Sequence, residues 1–350
     1  MDNVWWKQVT KANLFIKEAI NTLLDDQSLV LCLSDHLPWP ETMRELIMDG
    51  VNTANFDRTI RLMDASEAEG DPGAYLLRNY CSADLRSKYR PGKGGYAKFL
   101  AECEGSTLSG AYIWIKNASP TEVKAWNSFI GDYLSYLGKR SGGVFLLEAG
   151  GEGEISRKKN LRVMVYEKEI GAYDAFVFNL LLAAEYAGSV YGKQYLAELA
   201  SLVAPESLEL GGECIRRGEA FLSDPFGVYS QLAADFGVSS KSRDEIDRCM
   251  WTAQIKLVFP LIEEFRRKFI KRRSSFIAGS LPHPDTAGHI IDDPKEVEIG
   301  MLNFLASKDQ WPLNHGEWEG IKVHHEARNI LAHMGTLSPD RLKEIFRAHT

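Results

Sequence analysis

Arg328, Asn329 and His333 fall within six residues of one another, and His325 precedes Asn329 by four. On a helix, His325, Asn329 and His333 stand at i, i+4 and i+8 and share one face. Arg328 is offset by one residue, with a side chain long enough to swing towards that face. Two imidazoles, an amide and a guanidinium suit in-line attack of a ribose 2′-hydroxyl on its neighbouring phosphate. Histidine titrates near neutral pH and can take or give the proton. Arginine stays charged, and its planar fork matches phosphate oxygens, so it can stabilise charge developing at phosphorus. Asn329 can orient the phosphate or an imidazole. Such cleavage leaves a 2′,3′-cyclic phosphate and a 5′-hydroxyl, and it calls for no metal and no cofactor. The plainer reading of the same residues is an Asn–His hydrogen bond one turn apart and an ion pair from Arg328 to Glu326 or a neighbouring helix.

A second cluster lies upstream. Between Phe265 and Arg273 stand Arg266, Arg267, Lys268, Lys271, Arg272 and Arg273, on a chain whose net charge is -7. A local basic patch on an acidic protein can track phosphates, with salt-sensitive RNA binding. The competing reading is that these cations complement the C-terminal end of a helix dipole. Arg157-Lys158-Lys159, by contrast, reads as a solvated loop.

The elements that must carry these residues are helices. Ser242 and Glu245 form a capping-box pattern at the start of a long helix from about Arg243 to Phe276, with Pro260 expected to kink it. A Pro-rich connector, Leu281-Pro282-His283-Pro284, follows. Asp292-Asp293-Pro294 should open a helix running through Leu302 and Leu305. The next helix spans about Glu317 to Met334, with Gly335 as its C-terminal cap. Its stripe Val323, Ala327, Ile330 and Met334 should face the other helices, with Leu331 and Ala332 as spacing. Ser338-Pro339 opens the last helix. Four such helices make a bundle.

Here the chain resembles a known family. Arg328-Asn329-x-x-x-His333 is similar to the R-N-x-x-x-H form of the Rx4–6H motif of HEPN domains, over roughly residues 240–350. The resemblance implies a helical bundle and a metal-independent endoribonuclease of the kind found in toxin, RNA-processing or antiviral defence systems. It also implies a homodimer whose two motifs face one cleft, with Arg328 and His333 catalytic and Asn329 in support. Some HEPN domains keep the motif as a binding surface without cleavage. His325 is outside the family motif and enters on helical spacing alone.

Towards the N-terminus the pattern changes. Short apolar runs at 29–33, 59–63, 111–115, 144–147 and 161–165 alternate with helical stretches such as Pro40 to Met48 and Pro120 to Leu137. That alternation predicts an α/β domain with a mostly parallel sheet. The first run leads into Ser34-Asp35-His36-Leu37-Pro38-Trp39-Pro40, where no phosphate-binding GxxxxGK[ST] loop is found. The strand at 111–115 ends in Lys116-Asn117 and offers no acidic residue for Mg²⁺. The layout resembles an AAA/STAND-type ATPase core without its Walker motifs. The chain therefore divides as an α/β domain over 1–236, with a helical extension from about Ala172, and an all-α bundle over 237–350.

Length and composition agree with two globular domains: 350 residues, 45% apolar and 25% charged. No apolar run is long enough to span a bilayer, and the N-terminus carries no secretory pattern. Five scattered cysteines form no metal or disulfide framework and fit the cytoplasm. Trp114, Trp126 and Trp251 read as core, whereas Trp5, Trp6 and Trp39 are candidates for an exposed partner surface. The leading expectation is an RNase whose N-terminal domain senses or docks a regulatory protein. The alternatives are a non-catalytic adaptor of a defence complex, or an NTP-binding regulator with a nonstandard phosphate site around Ser34 to Thr42 or Arg90 to Gly95.

Overall fold

A computed structural model of the chain describes every residue except Glu69, Glu104, Gly105, Ser106, Glu154, Arg157, Thr286 and Thr350, and for Thr107 the backbone alone. The loop expectation at Arg157 thus lies outside the described residues. The chain forms two compact units, Met1–Asp174 and Ala175–Thr350.

The first unit opens with two helices, α1 (Asp2–Gln8) and α2 (Thr10–Leu24). Extended dihedrals at Val9 separate the two. The break folds α1 back, and both Trp5 and Trp6 become core residues, 1% and 0% exposed. The expectation of an exposed tryptophan pair is therefore corrected. The chain continues through β1 (Ser28–Cys32), α3 (Pro40–Ala54), β2 (Thr59–Asp64), α4 (Pro72–Tyr80), α5 (Ala83–Lys88), α6 (Gly95–Glu102) and β3 (Ala111–Lys116). It then forms α7 (Pro120–Leu137), β4 (Val144–Ala149), β5 (Leu161–Val165) and α8 (Tyr166–Glu169).

All five apolar runs are strands of one parallel sheet, in the order β2-β3-β4-β1-β5. The three central strands explain why their sequences read as unbroken apolar runs: β1 and β4 are buried at every position, and β3 at all but its last. Helices cover both faces of such strands, so alternation gives way to continuous Val, Ile and Leu.

The second unit comprises α9 (Ala172–Ala183, its first turn before the boundary), α10 (Val190–Val203), α11 (Leu208–Arg216), α12 (Glu219–Ser223), α13 (Pro225–Asp235) and α14 (Arg243–Gly279). A two-stranded antiparallel hairpin, β6 (His283–Pro284) and β7 (Ile290–Ile291), leads to α15 (Ile299–Lys308), α16 (His315–Ala332) and α17 (Pro339–Ala348). One apolar core runs from Ala183 to Phe346. The domain boundary expected at 236/237 lies inside this unit, because α10 and α13 pack on α14 and share that core. The polar stretch before Ser242 is a loop within the unit.

One helix interior and two helix termini differ from expectation. Within α14 the non-helical dihedrals fall at Arg273, not at Pro260. Asp293 caps only a single 3-10 turn, Pro294–Glu296, and α15 starts afresh after Glu298. In α16 the last helical residue is Ala332, His333 is the cap, and Met334 takes the left-handed conformation expected of Gly335. Among the described residues no helix is long and apolar enough to cross a membrane.

Candidate functional site

α16 is held against α14 by close packing and by polar pins. A Cβ at Gly320 would lie 2.8 Å from the Phe265 ring, so glycine is what lets the helices approach. One turn on, His324 is fully buried and stacks on Phe265 with ring centroids 4.0 Å apart. Its Nδ1 donates to the Gly320 carbonyl, and its Nε2 lies 3.0 Å from Nε2 of His349. Burial pushes the His324 imidazole down to about 4, and the nearby His349 adds to the shift. At the C-terminal end, the Trp251 indole donates to the Leu331 carbonyl at 2.8 Å. Buried Gln254 accepts from Leu337 N–H at 2.7 Å and donates to its carbonyl at 3.1 Å. Both ends of the motif segment are thereby tied to α14.

The buried stripe of α16 is Ile321, Val323, His324, Ala327 and Leu331. Ile330 and Met334, expected to pack, are 39% and 71% exposed, whereas Leu331 is wholly buried. This rotation turns the Arg328–Asn329 side outward into a cleft of ≈ 540 Å³, which α15 and the β6–β7 hairpin close from the other side.

In the cleft, Asn329 Nδ2 donates to His325 Nε2 at 3.0 Å, the i, i+4 contact that the spacing predicts. Arg328 Nη1 donates to Asn329 Oδ1 at 3.4 Å and its Nη2 reaches Glu298 at 3.5 Å. The result is a polarised row, Glu298–Arg328–Asn329–His325. Glu326, the local partner considered for Arg328, pairs instead with Arg341. His333 does not join the row. Because the helix ends at Ala332, its side chain leaves the i+8 position and is exposed beside the cap, outside the residues that line the cleft.

The basic run is divided by the folding of α14. Arg273 makes a two-pronged pair with Glu317, at 2.8 and 2.6 Å, which holds the Glu317 carboxyl below its usual range. Arg272 approaches the same carboxylate at 3.9 Å. Arg266 donates to the carbonyls of Lys295 and Val297 and to Glu263. Arg267, Lys268 and Lys271 remain on the surface and line a groove of ≈ 860 Å³ with Glu264, Asp293 and Lys295. Lys268 is paired there with Glu264. Lys295 was missed in the sequence because its single charge sits far from the run. The Asp293–Glu298 segment that Arg266 clasps forms a wall common to the two depressions: Asp293 and Lys295 face the groove, Glu296 and Glu298 the cleft.

The α/β unit has a smaller depression of ≈ 250 Å³ at the carboxyl ends of β1, β3 and β4. Connections from β1 and β4 leave in opposite directions along the sheet, and such a switch point is where open α/β sheets bind ligands. Here Arg44 and Glu148 meet, joined by the Trp114 indole at 2.8 Å. Among the described residues no group of three or more His, Cys, Asp or Glu is placed to share a metal ion. No protein-family model matches the sequence, and a comparison with curated proteins finds no relative.

Proposed function

We propose that the helical unit is a metal-independent endoribonuclease of the HEPN type, acting as a homodimer in the cytoplasm within a prokaryotic defence or toxin system. The observation that carries this reading is the Arg328–Asn329–His325 row, half-buried at the rim of one cleft, with a basic groove against the same wall. Arg328 is the electrophilic group: its guanidinium is positioned by Asn329 and only loosely held by an exposed carboxylate 3.5 Å away. A phosphate can displace that carboxylate at little cost, since exposed ion pairs contribute ~1 kcal/mol or less. Arg267, Lys268, Lys271 and Arg272 contact the RNA backbone, while Arg266 and Arg273 hold the scaffold. His333, outside the cleft of its own chain, serves the cleft of the second copy.

The α/β unit is the docking or sensing part, and its parallel sheet supports the likeness to an ATPase core without Walker loops. The Arg44–Glu148 pair at the switch point favours protein docking over nucleotide binding there, because the guanidinium in the wall of that crevice is already bound by a carboxylate and is not free for phosphate.

The test is cleavage of end-labelled RNA in EDTA by the wild type, Arg328→Ala and His333→Ala. The expected result is cutting by the wild type with 2′,3′-cyclic phosphate ends, and a loss of at least about 100-fold in each variant. A dimeric wild type that binds RNA and leaves it intact would instead support the adaptor reading.

A further inference from the structure

The β6–β7 hairpin brings a histidine into the cleft that no motif singles out. His283 Nδ1 lies 2.7 Å from the Pro284 carbonyl oxygen. A carbonyl can only accept, so Nδ1 carries the hydrogen and the lone pair of the neutral ring is on Nε2. Among the described residues Nε2 has no hydrogen-bond partner. The half-buried ring packs edge-on against Phe304, with centroids 5.4 Å apart at 62°. In the hairpin Asp285 accepts from the N–H groups of Ala287 and His289, both at 2.8 Å.

His325 is placed differently. Its Nε2 sits over Gly300, one turn of α15 before Phe304, and is already engaged by Asn329. Asn329 cannot turn to offer its oxygen while Arg328 donates to Oδ1. The two imidazoles therefore stand along α15 about 6 Å apart in axial position, one with its Nε2 lone pair engaged and one with it available.

We infer that His283 is the general base of this cleft and that His325 is a positioning residue for Asn329 and Arg328. The inference rests on the ribonuclease reading. In the step it describes, His283 Nε2 takes the proton of the ribose 2′-hydroxyl as the 2′-oxygen–phosphorus bond forms. The bond from phosphorus to the 5′-oxygen breaks, and that oxygen takes a proton from the imidazolium of His333 supplied by the second copy. Arg328 faces the non-bridging oxygens throughout. His283 then returns its proton to water and His333 regains one, which closes the cycle. Phe304, 51% exposed beside His283, provides a flat apolar surface on which the base of the attacked nucleotide can stack.

The deciding measurement compares the full-length wild type with His283→Ala, His283→Gln and Arg328→Ala on one fluorescent RNA oligonucleotide in EDTA. Cleavage rate, anisotropy and thermal unfolding are read for each. The expected result is that both His283 variants bind the oligonucleotide and unfold like the wild type, yet cut it at least about 100-fold more slowly. Added imidazole should restore cutting in His283→Ala and leave Arg328→Ala inactive. Wild-type cleavage by the His283 variants beside an inactive Arg328→Ala overturns this inference and leaves the ribonuclease reading standing. A loss that imidazole does not rescue, accompanied by weaker binding or a lower midpoint, overturns it too and makes His283 structural. An associated wild type that never cuts RNA overturns both.

Discussion

Arg44 and Glu148, 104 residues apart in the chain, meet through hydrogen bonds of 2.8 and 2.6 Å between guanidinium and carboxylate. Both are largely buried, at 8% and 6% exposure. The geometry is a bidentate fork, and Trp114 satisfies the carboxylate further. The pair holds the Arg44 guanidinium even more firmly in its charged form, chiefly through the hydrogen bonds it donates to Glu148. Removing Glu148 leaves the largely buried guanidinium with only the exposed carboxylate of Glu41 as a partner, so Glu148→Ala is expected to lose about 3 kcal/mol of stability. The Arg44→Met, Glu148→Leu double variant should recover most of it, as read by urea unfolding of each protein. Because the Arg44 guanidinium is already engaged by Glu148 and no phosphate-binding loop follows β1, titration with MgATP should give no saturable heat. Saturable binding that Arg44→Ala abolishes would establish the NTP-regulator reading instead.

Met334 closes α16 in a conformation that suits glycine. Its φ is 61°, while Gly335 N–H bonds the Ile330 carbonyl at 2.9 Å and Met334 N–H the Leu331 carbonyl at 3.2 Å. This is the Schellman arrangement, with a side-chain-bearing residue at the left-handed position. Its side chain is mostly exposed, so little packing offsets the strain. Met334→Gly should therefore raise stability by about 1 kcal/mol. Gly335→Ala should lower it, since its Cβ would press within 3.0 Å of Ile330. Chemical denaturation midpoints of the two variants decide the matter. A neutral Met334→Gly would show that the cap is relaxed.

That cap also shows where the sequence stopped being informative. The three central strands could be read from apolar runs because burial on two faces leaves little else a strand can be. The Asn329–His325 contact could be read because helical spacing alone dictates it. The fate of His333 could not. A Met-Gly pair gives two candidate stop positions, and their one-residue difference decides whether His333 continues the row or leaves it. Arg266 and Arg273 looked like their neighbours in the basic run, since which turn of a 37-residue helix faces solvent depends on partners such as Glu317 and the Lys295 carbonyl. His283 was hidden for the same reason, as nothing local shows that a Pro-rich connector will form a hairpin over α15.

His324 makes stability depend on pH with a definite sign. Its folded-state value, about 4, lies below the ordinary 6.5, mainly because burial disfavours the imidazolium. Nearby Glu344 acts in the opposite direction, and Glu264 does so for the adjoining His349, itself lowered by burial. The unfolded chain thus takes up the proton first as the solution is acidified. The contribution of His324 is fully present above pH 6.5 and is lost as pH falls towards 4. The shift corresponds to roughly 3 kcal/mol. Unfolding free energies between pH 7 and 4 should decline accordingly, and His324→Phe, which keeps a ring on Phe265, should flatten much of the decline. An unchanged profile in that variant would assign the acid sensitivity elsewhere.

The divided basic run predicts that its members fail in different ways. Arg267 and Lys271 are exposed in a groove shared with Lys295 and make no contribution to the core. Their double reversal, Arg267→Glu with Lys271→Glu, should leave unfolding unchanged and weaken RNA binding severalfold or more. The slope of log affinity against log salt should fall by about two, one for each phosphate contact removed. Arg273→Ala should do the opposite. It strips the buried Glu317 of its two-pronged partner at the point where α14 departs from helical geometry, so the unfolding midpoint drops. RNA affinity of the folded fraction, and its salt slope, should change little. Salt-dependent anisotropy together with thermal unfolding separates the two behaviours. A large fall in salt slope for Arg273→Ala without loss of stability would show that Arg273 releases Glu317 to meet the phosphate.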